Sequence, residues 1–433
     1  MTTCLFVFMI LFLFMRRQIV SLVFITIGII VFILNGFEFQ DIIEQYLVSF
    51  VTVFNTIGIN ILTVVAFSDY IGQNGSTKKL VSLCYKPISL ISNPYLVLST
   101  FYIFGLILSV IITSASALSM IFMSTVFPIL VCKGVSKEAA ASMISSIGVI
   151  EFGPLKSSTI FMAQENNQNL YHYVFNEQFV LFIGIAIIGA ITHYFWQQHL
   201  DLKSKPMVEG KLDDLNAEYN RESKCSLLLA VLPLLPPLLI IFEYAFTSLK
   251  LPLWSIAIIC LAITLILDFY LRRHTFSKQV IVLSTSVVRS FFSIVSIIIS
   301  GKFLVSSLPL ETLFDNYVYV HLLNIGQVLF SLLLIISIVF FCIILGSGTV
   351  AFITIVSIIS TLKLTLLGKF SSAFTSMQII SGIGRTVSPI SPTTLLCSQM
   401  ANISITKLII RNSIPTMAII SLSIIYSSLG VLT

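Results

Sequence analysis

Apolar residues run along this chain in long blocks separated by short clusters of charge, the pattern of segments that cross a bilayer. Runs at 2–15, 18–36 and 50–67 come first. Lysine and arginine favour the cytoplasmic side, so the charges between runs set the orientation. Arg16 and Arg17 close the first run inside; Glu38, Asp41 and Glu44 put the end of the second outside. Lys78, Lys79 and Lys86 bring the third back in. The first run has no basic residue ahead of it and no small-residue cleavage site after it, and is read as a helix that starts outside. The stretch Asp69 to Asn93 is too polar to span, and reads as an amphipathic helix along the interface.

The apolar run at 94–132 is too long for one crossing, and Thr113, Ser114, Ala115 and Ser116 interrupt its middle. Lys86 precedes it and Lys133 and Lys137 follow it, so the chain enters and leaves on the same side. That predicts a re-entrant hairpin with a small, hydroxylated tip, buried in protein or lining a cavity. The segment 136–164 then crosses outward, broken by "GVIEFGPLKSS", and 177–197 returns. One long hydrophilic stretch, 201–225, reads as a cytoplasmic linker. Three runs follow at 227–246, 252–271 and 280–300, with Arg272, Arg273 and Lys278 inside. The pattern then recurs. A hairpin at 318–362 is interrupted by Gly346, Ser347, Gly348 and Thr349; a span at 370–402 is broken by "GRTVSPISPTT"; a last helix covers 408–429.

The halves match in register. Ser114 and Ser347 are 233 positions apart, Ser142 and Ser376 are 234 apart, as are Gly134 and Gly368. Pro154 and Pro389, Thr159 and Thr394, Gln164 and Gln399, and Asn167 and Asn402 are all 235 apart. A near-constant offset across two interrupted segments indicates an internal duplication. Each half makes three crossings before its hairpin, an odd number, so the second half lies upside down. The fold class is an all-α polytopic membrane protein of two inverted repeats, each with a re-entrant hairpin and a broken transmembrane helix. Paired breaks of this kind mark the binding site of a secondary transporter.

Composition narrows the picture further. Of 433 residues, 57% are hydrophobic and only 10% charged, which excludes the two or three soluble domains this length would otherwise suggest. Positive-inside loops account for the net charge of +6, and nucleic acid is not a partner. The seven cysteines are scattered, which argues against a disulfide framework or metal cluster, and the motif HExxH is absent. No nucleophile–base pair stands near a break, so the chain is read as no enzyme and as having no cofactor beyond a coupling Na⁺ or H⁺.

A helix broken at mid-membrane frees N–H groups at one end and carbonyls at the other. The first suit carboxylates, the second a small hard cation such as Na⁺. Ser114, Ser116, Ser347 and Thr349 supply hydroxyls at the tips, for substrate or for a coupling Na⁺. Ionisable groups near the breaks are Glu151, Lys156 and Arg385. The planar fork of Arg385 suits a carboxylate and makes it the preferred substrate anchor. Glu151 pairs either with Lys156 or with Arg385, and serves either as a structural ion or in proton coupling. Arg289, inside the run 280–300, is read as a scaffold or snorkelling residue.

Through "SNPYL", "SASALSMIFMSTVFPILVCKGVSKEAAASMI", "HYFWQQHLD" and "GRTVSPIS" the chain resembles the C4-dicarboxylate uptake C (DcuC-type) carriers of the ion-transporter superfamily, from about Arg16 to the C-terminus. The resemblance implies a multi-pass carrier of the bacterial inner membrane, its termini periplasmic, moving succinate, fumarate or malate by exchange, efflux or cation-coupled transport. It implies an elevator-type homodimer in the lipid bilayer, with a scaffold and a moving transport domain. On that plan 1–92 and 226–316 are scaffold, 93–200 and 317–433 transport domain, and 201–225 the linker. Carried over by position, the substrate site also takes in Gly153, Ser157, Thr386, Ser388 and Ser391. The chain departs from the family pattern where "FGPLKSS" stands for "APTSGD", which removes an acidic residue and adds Lys156, and at tips "SAS" and "SGT" that lack asparagine. If Glu151 neutralises Lys156, a carrier of another small organic anion or an amino-acid-like substrate is the alternative, and an anion channel a further one.

Overall fold

Small polar caps set the helix ends of this protein. Asn93 Oδ1 accepts the backbone N–H groups of Tyr95 and Leu96 at 3.0 and 3.2 Å, and Pro94 needs no partner for its nitrogen, so a helix starts there. Ser114 Oγ accepts from Ala117 N at 3.3 Å and Ser136 Oγ from Ala139 N at 3.1 Å, starting two more. Asn167 and Asn402, 235 positions apart, both take left-handed backbone (φ 51° and 53°) where a helix ends.

The computed structural model describes residues 20–76, 79–80, 91–203, 231–236, 238–239, 242, 251–272, 276–307, 327–360 and 370–429, and they form no strand. The helices are α1 (Val20–Leu34), α2 (Phe39–Gln73), α3 (Pro94–Ile111), α4 (Ala115–Cys132), α5 (Lys137–Ile147), α6 (Ser157–Glu165) and α7 (Leu170–Lys203). After these come α8 (Leu253–Arg272), α9 (276–307), α10 (Gln327–Leu345), α11 (Gly348–Ser360), α12 (Ser371–Ile379), α13 (Pro392–Ala401) and α14 (Ile405–Leu429). Among the described residues, seven helices are long and apolar enough to cross a membrane: α2, α3, α4, α7, α8, α10 and α14. This is a multi-pass membrane protein.

Most helices fall on the predicted segments. The pairs α3–α4 and α10–α11 occupy the two overlong runs, with links of a few residues at 112–114 and 346–347, and α5–α6 and α12–α13 occupy the two interrupted spans. The polar stretch after Phe67 differs from expectation: α2 runs on through Asp69 to Gln73, because the carboxylate of Asp69 faces a cavity rather than lipid or interface. The run 2–15, the linker beyond 203, most of 227–246 and Gly368 lie outside the described residues.

Two helix groups build the molecule. In one, α2 and α9 lie antiparallel, 39–53 beside 296–307 and 59–73 beside 276–290, and they meet at π-helical turns (Phe54–Gly58 and Phe291–Val295). Helix α1 packs on the end of α9, and α8 on the end of α2. In the other group α7 packs on α14, each against the first helix of its own pair, α3 or α10. The short helices α5, α6, α12 and α13 pack among these helices, and residues 148–156 are buried throughout.

Close approach of backbones ties each helix pair to a break. A Cβ added to Gly148 would lie 2.7 Å from Ala115 Cα, at the start of α4. The same contact recurs between Gly382 and Gly348, at the start of α11. Gly348 stands 233 positions after Ala115 and Gly382 stands 234 after Gly148, the offset read from the sequence.

Candidate functional site

Four helices begin at one cavity of about 190 Å³. They are α4, α6, α11 and α13, represented in its lining by Ala115 and Ser116, by Ser157, by Ser347 and Thr349, and by Pro392 and Thr393. The residues that start α6 and α13, Lys156 and Ser391, do not cap with their own side chains. First-turn N–H groups therefore face the cavity region without a side-chain acceptor, and four helix dipoles converge positive end first. That arrangement favours an anion.

Charged side chains add to it. Glu151 and Arg385 form an ion pair of 2.8 Å, one from each break, with side chains 5% and 13% exposed. Ser158 Oγ donates to Glu151 at 3.2 Å, and the backbone N–H of Glu151 donates to Ile379 O at 2.9 Å, so the two breaks are bonded to each other. Gln378 reinforces the junction: its Nε2 donates to Glu151 O at 2.8 Å, Ser158 Oγ at 3.0 Å and Thr159 Oγ1 at 3.1 Å. Gln178, from α7, bonds to Gln378 and to Thr159. These bonds satisfy non-helical backbone inside the protein.

Lys156 is different. It is 1% exposed, lines the cavity, and its Nζ has no hydrogen-bond partner among the described residues. Sequence reasoning left Glu151 to choose between Lys156 and Arg385; in the structure it takes Arg385, and Lys156 Nζ is left without a hydrogen-bond partner among the described residues.

The rest of the lining comes from the long helices, with Val65 and Asp69 of α2 and Ser286, Arg289, Ser290 and Ile294 of α9. Asp69 lies beside Ser286 and within the field of Arg289. Counted at their formal charges, Lys156, Arg289 and Arg385 against Asp69 and Glu151 leave one positive charge in excess around the cavity. Thr113 closes a corner, its N–H donating to Ser68 Oγ of α2 at 3.0 Å.

Of the residues proposed from sequence, Ser114, Ser116, Glu151, Lys156, Ser157, Ser347, Thr349 and Arg385 come together here. Gly153, Thr386, Ser388 and Ser391 do not line the cavity. Gly153 has φ +112°, and a Cβ there would lie 2.7 Å from Val110 Cγ1, so its work is conformational. Thr386 and Ser388 turn their hydroxyls onto Ile383 O (2.7 Å) and Ile343 O (2.6 Å). Ser391 Oγ is buried without a hydrogen-bond partner among the described residues. Sequence reasoning missed Asp69 as a wall residue, and read Arg289 as scaffold; both sit in continuous helices, where no interruption flags a site.

A second buried polar cluster lies apart from the cavity lining. Arg411 of α14 forms an ion pair with Asp201 of α7 at 2.5 Å, and Asp201 also accepts from Ser136 Oγ at 2.6 Å. Asn412 bonds to Ser142 and Ser145 of α5 at 2.7 and 2.9 Å, and His193 meets Ser146 Oγ at 2.9 Å. This cluster fastens α7, α14 and α5 together.

A family model described as "C4-dicarboxylate anaerobic carrier", DcuC, matches residues 33–432. The anaerobic C4-dicarboxylate transporter DcuC of Escherichia coli strain K12 is 25% identical over 406 residues, 92% of this chain and 86% of that protein. The probable DcuC of Vibrio cholerae is 25% identical over 373 residues, 83% and 79% of the respective lengths. Among solved structures, the YdaH transporter of Alcanivorax borkumensis superposes with a TM-score of 0.64 at 11% identity, covering 95% of this chain and 98% of that one. MtrF of Neisseria gonorrhoeae, described among a class of antimetabolite efflux pumps, gives 0.62 at 12% identity over 95% of each. Identities that low bear on the fold alone.

Proposed function

This chain belongs to the DcuC family of C4-dicarboxylate anaerobic carriers, and we propose that it moves C4-dicarboxylates such as succinate, fumarate or malate across the bacterial inner membrane as a secondary transporter. The family is one of carriers rather than enzymes. The observation that carries the reading is the convergence of four helix N-termini on a cavity that also holds the buried Lys156 Nζ, which has no hydrogen-bond partner among the described residues. Such a site is built for carboxylate. Lys156 is its first anchor, with Ser114, Ser116, Ser157, Ser347 and Thr349 supplying hydrogen bonds and Arg385 shared between Glu151 and substrate.

Charge supports cation coupling. A dianion entering a site with one positive charge in excess leaves one negative charge over, which a single H⁺ on Glu151 or a single Na⁺ at the hydroxyl-lined tips would neutralise.

The inverted-repeat reading draws support from the doubled features: the left-handed asparagines and the two glycine contacts. On this reading α3–α4 and α10–α11 are re-entrant hairpins. Helices α1, α2, α8 and α9 are the scaffold of a homodimer, and the remaining helices move as an elevator with the substrate between hairpin tips and breaks. Both chain termini lie in the periplasm.

The test is counterflow of labelled succinate in proteoliposomes of the purified protein. Saturable exchange is expected for the native chain, and its loss in Lys156→Met. Exchange at the native rate by that variant would remove the site assignment, and a non-saturable current would point to a channel. The Glu151–Arg385 pair favours one second reading, a carrier of a monoanionic or amino-acid-like substrate. Thermal stabilisation by amino acids and not by dicarboxylates would select it.

A further inference from the structure

Two cations at the cavity have no hydrogen-bonded partner among the described residues, and they stand on different walls. One is Lys156, at the break. The other is Arg289 of α9, whose guanidinium makes no ion pair or hydrogen bond there, though the carboxylate of Asp69 lies close enough to feel its field. Arg289 is 13 positions into the helix 276–307. At 1.5 Å per residue that is about 20 Å from one end and about 27 Å from the other. An arginine side chain does not snorkel so far, so the charge needs a polar surface of its own. The cavity is that surface, and Ser286 and Ser290 flank Arg289 within it.

We propose that Arg289 is a specificity-determining residue: it binds the second carboxylate of a substrate whose first carboxylate is held by Lys156 and the helix N-termini. The proposal rests on the carrier reading above and deepens it. A monocarboxylate satisfies the break wall alone; only a ligand with a carboxylate at each end engages both walls. The guanidinium fork offers paired donors to that distal group. Asp69 beside it keeps the wall from holding an anion too tightly to release. Because α2 and α9 form one helix group and the break residues another, a dicarboxylate also bridges the two groups, which a monocarboxylate cannot do.

The experiment compares counterflow of succinate and of its monoamide, which replaces one carboxylate by a neutral group of the same shape, in the native protein, Arg289→Gln and Arg289→Lys. Arg289→Gln is expected to lower the preference for succinate over the monoamide by roughly ten- to a hundredfold, the range of one lost charged hydrogen bond. Arg289→Lys keeps the charge without the fork and retains an intermediate preference. A structural role for Arg289 would depress both substrates alike, and an unchanged preference ratio in Arg289→Gln overturns the proposal while leaving the carrier reading in place. A native protein that exchanges neither succinate nor another C4-dicarboxylate overturns both.

Discussion

Glu151 and Arg385 are 234 positions apart in the chain and 2.8 Å apart in space. Glu151 sits in the interruption between α5 and α6, and Arg385 in the interruption between α12 and α13. The pair therefore fastens one break to the other. It also changes what Arg385 can do, since a guanidinium already holding a carboxylate is not a free anchor for substrate.

Breaking this pair from one side leaves a buried charge uncompensated, a change that costs about 3–5 kcal/mol. Arg385→Ala is accordingly expected to lower the thermal unfolding midpoint in detergent. Removing both charges in Arg385→Gln with Glu151→Gln restores most of the loss, because neither charge is then stranded. Unfolding of the two single variants and the double variant decides the matter: strictly additive losses would mean that the residues do not stabilise each other.

Lys156 predicts the opposite sign. Lys156 Nζ is buried with no hydrogen-bond partner among the described residues, and an unpaired buried donor costs about 1–3 kcal/mol or more when charged. Lys156→Met keeps the apolar stem and removes the charge. The variant is expected to unfold at a higher temperature than the native protein and to lose dicarboxylate exchange. Loss of both stability and transport would make Lys156 a structural residue with a partner outside the described residues.

These contrasts also mark what could be read from the sequence. The limits of α3 and α4 were legible because asparagine, proline and a run of small hydroxyl residues act locally, through caps and through missing hydrogen bonds. The two breaks were legible for the same reason. The choice of Glu151 between Lys156 and Arg385 was not, because it depends on how two segments more than 200 positions apart are juxtaposed. Nor was the role of Gln178 and Gln378, neutral side chains that carry no distinctive signal alone but together close the junction. Asp69 was misread because a carboxylate in an apolar run looks like the end of a span; here the helix continues past it and the cavity solvates the charge.

The glycine contacts give a steric prediction. At Gly148 an added methyl would meet the Cα of Ala115, backbone that cannot rotate away as a flexible side chain can. Gly148→Ala is expected to push α4 from the break and to cost about 1–3 kcal/mol, the range for overpacking a well-filled core. Ala115→Gly does not rescue it, since the nearest atom is Cα rather than Cβ. Circular dichroism melts of both variants test this, and a full rescue would show that the side chain, not the backbone, sets the spacing.

Coupling is the point at which Glu151 can be separated from its structural role. With Lys156, Arg289 and Arg385 set against Asp69 and Glu151, a bound dianion leaves the native site one charge short of neutral. A proton on Glu151 would supply that charge and would also release Arg385 to the substrate. Glu151→Gln is the protonated site made permanent: the cavity then carries two positive charges in excess and balances a dianion unaided. Succinate uptake into proteoliposomes by the native protein is expected to rise when the donor side is made acidic, and the response is expected to vanish in Glu151→Gln while exchange at equal pH persists. If that variant still follows the proton gradient, Glu151 is only a strut between the breaks. If native uptake follows an imposed Na⁺ gradient and ignores pH, the neutralising cation is Na⁺, and the hydroxyls of Ser114, Ser116, Ser347 and Thr349 become the next residues to substitute.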